Sequence, residues 1–505
     1  MSRASSTLSW ALPALLLPVL LAPGCSTEEP PAGPTVPDGA PRGVLVISID
    51  SLRADHVSSY GYESATAPGI ATTPILDARL AAEGARFTNA VSTTSWTVPG
   101  HMAMLGGQPD RMHGVLLPNS KLHPARRLLA QPFQEAGWNT AGFYSGPNLD
   151  AWFGFGRGFD HYEDCTSVGV EAARFEAATP DERKLLRAME DASHEGLTGE
   201  LVAERFGAWF DGLDHGSADA GGDDAEPFFA FVHFWDVHYD YAPPAAHDLF
   251  DPDYEGDVDG TGIPQLDMDE LPNPARDRDH ILALYDGELH YTDANIGRIL
   301  DQLEAAGRLD DTLVIVTSDH GEEFGEHGRF GHNKTLFEES IEVPLLVRLP
   351  GRVPAGVSYD DLVSLVDLAP TVLELVGFER EAEHWGRTLT PLFAGADLRP
   401  RVAPLELAFG RPDPDKPRAA MEGLHAGDHK VIRNFPGTKP VVFDLGADPL
   451  ELEALGVEPT DPRVEAAKDL WKRIEEIGAR LPRVAGELPS ELEDSMGHFG
   501  YLGDD

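Results

Sequence analysis

Asp50, Thr97, His101, Asp319 and His320 stand in three short segments whose side chains, if brought together, could bind a cation and carry nucleophilic or acid–base chemistry. Asp50 closes the apolar run Val44–Ile49. Asp319 and His320 close a second run over Thr312–Thr317. Thr97 and His101 lie in Ser95-Trp96-Thr97-Val98-Pro99-Gly100-His101. Singly these residues say little, because an aspartate at a strand end is commonly a cap or turn residue. Their meaning depends on the elements that position them.

Val44–Ile49, Phe228–His233, Thr312–Thr317 and Val343–Arg348 have the composition of short strands buried on both faces. Between them, 296–306 and 362–375 repeat apolar residues every three or four positions and predict helices. This alternation predicts an α/β fold with a mostly parallel central sheet and helices on both faces. In such sheets ligands bind beyond the carboxyl ends of the strands, where Asp50 and Asp319 fall. After residue 377 the pattern changes to a smaller α+β subdomain over 378–482, with strands at Lys430–Arg433 and Val441–Asp444 and a helix at 464–477. The acidic tail, 483–505, is assigned no structure. The Asp-rich stretches 211–226 and 248–279 read as surface loops. The second is not a calcium-binding EF-hand, since the twelfth position counted from Asp251 is Gly262.

With 39 Lys and Arg against 85 Asp and Glu, the 505-residue chain carries a formal charge of −46, which argues against nucleic acid as a partner. Residues 1–24 read as a signal peptide, with Arg3 ahead of an apolar stretch too short to span a bilayer. Leu21-Ala22-Pro23-Gly24-Cys25 resembles a bacterial lipobox, with Cys25 as the lipidated residue; soluble secretion is the alternative. A Pro- and Gly-rich linker over 25–41 would tether a catalytic domain over 42–377 to the membrane, at the periplasmic or outer face. With Cys25 lipidated, Cys165 would be the one remaining thiol and no intrachain disulfide could form.

Several motifs in order resemble the sulfatase branch of the alkaline phosphatase superfamily. They are Asp50-Ser51-Leu52-Arg53-Ala54-Asp55-His56, Thr97 to His101 followed by Met104-Leu105-Gly106-Gly107, Thr317 to Glu322, Glu326-His327-Gly328, Gly331-His332, Val366-Asp367-Leu368 and Phe443-Asp444-Leu445. The resemblance runs from about residue 43 to 455. It implies an alkaline phosphatase/sulfatase-like fold and a divalent metal ion held by Asp50, Asp319, His320 and Thr97. It also implies that Thr97 takes the place of the family's covalent nucleophile, as an alkoxide lined up for in-line attack.

Departures from the sulfatase pattern carry as much weight. Sulfatases place a cysteine, oxidised to formylglycine, where this chain has Thr97, and an arginine where it has His101. Their paired aspartates and Asp-Asn become Asp50-Ser51 and Asp319-His320. The imidazole shifts the preference toward zinc or manganese, with calcium and magnesium still open. The Gly-Lys-x-His element is missing: Gly142-Phe143-Tyr144-Ser145-Gly146 stands where it would fall. Arg53, His101, Lys334 and His332 are candidates to replace its contacts with the ester's oxyanion. His238 matches the family histidine that serves the leaving group, and His332 is a second candidate acid. A second metal held by Asp236, Asp240 or His238 together with His332 is the further option, whereas His233 and Trp235 read as core packing.

The resulting expectation is a metal-dependent hydrolase that cleaves a phosphate-type ester (phosphomonoester, phosphodiester or phosphonate) through Thr97. Threonine cannot become formylglycine, whereas its alkoxide can attack phosphorus. The alternatives are a sulfuric ester hydrolase, a phospho-group transferase and a non-catalytic envelope-binding relative. The partner would be a small-molecule, glycan- or lipid-linked anionic ester, read by variable loops such as 248–279.

Overall fold

The computed structural model describes residues 39–166, 197–216, 225–408, 420–435 and 439–498. The signal peptide, Cys25, the linker up to residue 38 and residues 499–505 of the tail lie outside the described residues. Gly43–Ile49 (β1), whose residues are all apolar or small, is buried throughout and forms the spine of an eight-stranded sheet. Its companions are β2 (Ala85–Phe87), β3 (Asn139–Tyr144), β4 (His161–Asp164), β5 (Phe228–Phe234), β6 (Thr312–Ser318), β7 (Leu345–Arg348) and β8 (Val357–Tyr359). The spatial order is β8-β2-β7-β6-β1-β5-β3-β4. Every neighbouring pair is parallel except the two made by β7, which runs against β6 and β2. The sheet is therefore mixed but mostly parallel.

Alternation along the strands splits the core in two. Val44 and Val46 face one side with Phe229, Phe231, Leu313 and Ile315. Leu45, Ile47 and Ile49 face the other with Ala230, Val232, Val314 and Val316. Helix α1 (Thr97–Gly106) covers the first face through Met102, Met104 and Leu105. Helices α2 (Gly199–Phe210) and α3 (Pro274–Ala305) cover the second. Full burial of each such aliphatic side chain contributes about 1.5–3 kcal/mol, which is why these faces hold the strand ends rigidly.

Residues 248–273 form the expected irregular segment, and only the last six positions of that stretch, 274–279, belong to helix α3. Its first turns, Pro-Ala-Arg-Asp-Arg-Asp, carry almost no apolar signal, but Pro274 stands at the helix start, where no N–H is needed, and Ile281, Leu284 and Leu289 anchor the following turns. The C-terminal region forms a four-stranded antiparallel sheet: β9 (Ala403–Ala408), β10 (Ala420–Ala426), β11 (His429–Phe435) and β12 (Val441–Asp444). Helix α4 (Pro462–Gly478) packs Val464, Ala467 and Trp471 onto Leu424, Val431 and Val442. The tail is also more ordered than its acidity suggests. Helix α5 (Ser490–His498) buries Leu492 and Met496 in the large core. Among the described residues, no helix is long and apolar enough to cross a membrane.

Candidate active site

Strand register assembles the centre. Ile49 lies opposite both Phe234 and Ser318, so Asp50, Trp235 and Asp319 leave the sheet at the same level. The first turn of α1 closes over them because residue 100 is glycine: a Cβ there would sit 2.9 Å from the Asp319 carbonyl oxygen. Trp96 is extended (φ −144°), and the chain turns helical at Thr97, which is fully buried.

Ser51 adopts φ 56°, a left-handed conformation that strains a residue with a side chain by about 1–3 kcal/mol. Its hydrogen bonds hold it there. The hydroxyl donates to Asp50 Oδ1 at 2.8 Å, the amide donates to Asp319 Oδ1 at 3.3 Å, and Tyr285 donates to its carbonyl at 2.9 Å. The strained turn thus aims both aspartates.

Asp50, Asp319 and His320 are buried and offer ligand atoms within 4.8 Å of one another. His320 Nδ1 lies 2.8 Å from the Gly321 carbonyl and must donate to it. In the neutral ring, Nε2 then presents its lone pair to Asp319 Oδ2 (3.4 Å), Asp50 Oδ1 (3.7 Å) and Thr97 Oγ1 (3.2 Å). Among the described residues, Asp50 Oδ2 and Asp319 Oδ2 have no hydrogen-bond partner. Converging buried anions and a nitrogen lone pair repel one another, so the donor set fits a divalent cation. Thr97 puts a hydroxyl on the rim of that set.

Further imidazoles surround it. The His332 ring lies 4.4 Å from His320 and 4.9 Å from His238, centre to centre. His332 Nδ1 faces the Glu322 carboxylate at 3.2 and 3.3 Å, and Tyr241 donates to Glu322 at 3.1 Å. Burial, then His320 and His238, hold His332 well below the ordinary imidazole range, while burial raises the Glu322 carboxyl. His238 Nδ1 donates to the Tyr239 carbonyl at 2.7 Å, and burial lowers its pKa to about 4. Both histidines therefore stand neutral at physiological pH.

His233, expected to be core packing, is buried but belongs here: Nε2 lies 3.5 Å from Asp50 Oδ2, and its ring meets His101 edge to face. Sequence reasoning also missed the roles of Ser51 and Glu322. The available signal for His233 was parity, since Phe229, Phe231 and His233 alternate onto the face that carries Ser48.

Other expected contacts lie elsewhere. His101 sits beneath Thr97 with both nitrogens engaged, Nδ1 to the Thr97 carbonyl and Nε2 to Ser48 Oγ, each at 2.9 Å. Burial lowers its pKa to about 3, so it braces helix to strand and is not an oxyanion contact. Arg53 is neutralised by Asp55 (2.7 Å) and Glu326 (2.6 Å) and donates to the Glu322 carbonyl, which spends its charge on the fold. Lys334 is half-buried and donates to the Phe330 carbonyl, with Glu322 and Glu323 drawing on its charge. The acidic pair of the second metal site is not assembled. Asp236 accepts from the Thr198 amide and hydroxyl, and exposed Asp240 accepts from Ile263 N.

A family model described as Sulfatase matches residues 42–378. The chain belongs to the sulfatase family. It is a hydrolase of ester bonds, and its C-terminal region matches the model "N-sulphoglucosamine sulphohydrolase, C-terminal" over residues 325–480. This sulfatase-family chain is 22% identical over 490 residues to an N-acetylglucosamine-6-O-sulfatase of Bacteroides thetaiotaomicron, with 81% of each chain covered. It is 24% identical over 498 residues to the multifunctional alkaline phosphatase superfamily protein PehA of Trinickia caryophylli, covering 83% of this chain and 92% of the relative. In fold it is similar to the phosphonate monoester hydrolase of Agrobacterium radiobacter (TM-score 0.64, 21% identity, 89% and 98% of the two chains).

Proposed function

We propose that this protein hydrolyses a monoanionic phosphate-type ester, a phosphodiester or a phosphonate monoester, through a covalent intermediate on Thr97. The observation that carries the reading is the Thr97 hydroxyl 3.2 Å from His320 Nε2, on the rim of the Asp50–Asp319–His320 donor set. A divalent cation held by that set supplies Lewis acidity toward the ester oxygens and lowers the pKa of the threonine hydroxyl. Thr97 Oγ attacks phosphorus as the bond to the leaving alkoxide breaks. His238 or His332, neutral at rest, takes up the proton that Thr97 releases and passes it to that alkoxide. Water then cleaves the threonyl ester and frees Thr97. The preference for a monoanion follows from charge. Asp50 and Asp319 offset one divalent ion and Arg53 is already neutralised, so a dianionic phosphomonoester would meet little positive potential.

The family match supports a second reading, a sulfuric ester hydrolase. One panel separates the two: aryl sulfate, phosphomonoester, phosphodiester and phosphonate monoester, each across added Zn, Mn, Ca and Mg, beside Thr97→Ala. The phosphorus monoanions should turn over fastest, and Thr97→Ala should lose ~10³-fold or more in kcat. Preferred cleavage of aryl sulfate with Thr97→Ala fully active would sink the mechanism. A lipid on Cys25 would hold the enzyme to an extracytoplasmic membrane face. Cys25→Ser should release it into the soluble fraction, and unchanged fractionation would dismiss the anchor.

A further inference from the structure

A second pocket, sharing no residue with the catalytic cluster, opens where the short strand Ser120–Lys121, the turn Ala151–Phe153 and the C-terminal strand Val484–Ala485 meet. Its volume is about 410 Å³, and Lys121, Trp152 and Arg157 line it with Leu122, Pro124 and Val484. No aspartate or glutamate is among its lining residues. That is unusual on a chain with 85 acidic residues against 39 basic ones.

Several buried and half-buried cations elsewhere are matched with carboxylates, such as Arg53 with Asp55, Arg111 with Glu406, and Lys430 with Glu338. The two in this pocket are not. Lys121 Nζ sits over the Trp152 ring, 4.1 Å from its centre. Arg157 donates to three backbone carbonyls, those of Leu122 (2.6 Å), His123 (3.0 Å) and Arg126 (3.5 Å). Neither forms an ion pair among the described residues. Carbonyls orient a guanidinium without cancelling its charge, so both cations project positive potential into one concavity. Gly154 helps to keep it open: with φ 112°, a side chain there would be strained, and its Cβ would lie 3.4 Å from Arg157 Nη2.

An aromatic wall beside two unneutralised cations is suited to a ring with an apolar face and an anionic substituent. We propose that this pocket binds an acidic saccharide, with the sugar ring against Trp152 and its carboxylate or sulfate between Lys121 and Arg157. The Ala151–Phe153 turn follows the carboxyl end of β3, the same edge from which Asp50 and Asp319 leave the sheet. The inference does not rest on the ester chemistry proposed above.

Calorimetric titration tests it with three hexasaccharides: a heparin-derived one (sulfated), oligogalacturonate (carboxylate only) and cellohexaose (neutral). The proteins are the wild type, Lys121→Ala, Lys121→Glu, Trp152→Ala and the catalytic-site variant Asp319→Asn, all checked for wild-type thermal unfolding or better. Wild type and Asp319→Asn should bind at least one acidic hexasaccharide and not the neutral one, more weakly as salt rises. Which acidic probe binds tells sulfate from carboxylate recognition. Lys121→Ala and Trp152→Ala should each lose about tenfold in affinity, and Lys121→Glu more. If Trp152→Ala fails to fold, the two Lys121 variants decide. No binding of either acidic probe, equal binding of cellohexaose, wild-type affinity in the Lys121 variants, or loss only in Asp319→Asn would each overturn the proposal.

Discussion

Asp319→Asn should make the metal-free protein more stable while it weakens the metal-loaded one. The Asp50 and Asp319 ligand oxygens lie no more than 4.8 Å apart in a buried setting. At an effective dielectric constant of ~20, two unit charges at that distance repel by about 3.5 kcal/mol. Asparagine keeps Oδ1 for the amides of Ser51 and His320, which Asp319 now serves at 3.3 and 3.0 Å. Its Nδ2 replaces the oxygen that lacks a partner and faces His320 Nε2. Part of the relieved repulsion is offset by a less favourable fit, so a gain of about 1–3 kcal/mol is expected in chelator. With metal at ~100-fold its Kd, the wild type should gain about 2.7 kcal/mol and the variant much less. The order of stability should therefore reverse between the two conditions. Urea unfolding in EDTA and in saturating manganese or zinc measures both. If Asp319→Asn were the less stable protein in EDTA and the wild type did not respond to metal, the two carboxylates would not form a cation site.

Two further substitutions probe the surrounding frame. Gly100→Ala should push α1 away from the Asp319 carbonyl, destabilising the fold by about 1–3 kcal/mol and lowering metal affinity in the same protein; thermal unfolding and metal titration would show it. Asp236 should make stability depend on pH. Burial raises its folded pKa to about 6, against ~3.9 when unfolded, so its contribution is complete below the unfolded value and is lost as pH rises through 6. The loss is a few kcal/mol at most, and it should be absent in Asp236→Asn. Denaturation midpoints from pH 4 to 7.5 that stay parallel for the two proteins would refute this.

The parts of the site readable from sequence were those that depend on chain direction alone. Asp50 and Asp319 end buried parallel strands, and such strands deliver their next residues to one edge wherever the helices lie. Thr97 and His320 follow from the same motifs. Residues whose task depends on a tertiary partner were misread. Arg53 looked available because Glu326, 273 positions away, was not visibly its neighbour. His101 looked like a ligand for substrate because Ser48 could not be seen to occupy its Nε2. Asp236 looked like a metal ligand until the start of α2 claimed it. The loop expected at 248–279 holds to residue 273, and only 274–279 were misread, because the polar first turns of a long helix have no apolar stripe to reveal them.

The common level at which β1, β5 and β6 end has a consequence for how this enzyme can change. The candidate metal donors are set by rungs of the sheet, and the loops beyond them are not part of that ladder. Insertions or deletions in those loops can alter which ester enters without displacing Asp50, Asp319 or His320. Slipping one strand by a single residue would instead turn its donor to the opposite face. Substrate range is therefore open to drift in this protein, whereas the chemistry is locked to the pairing of three strands.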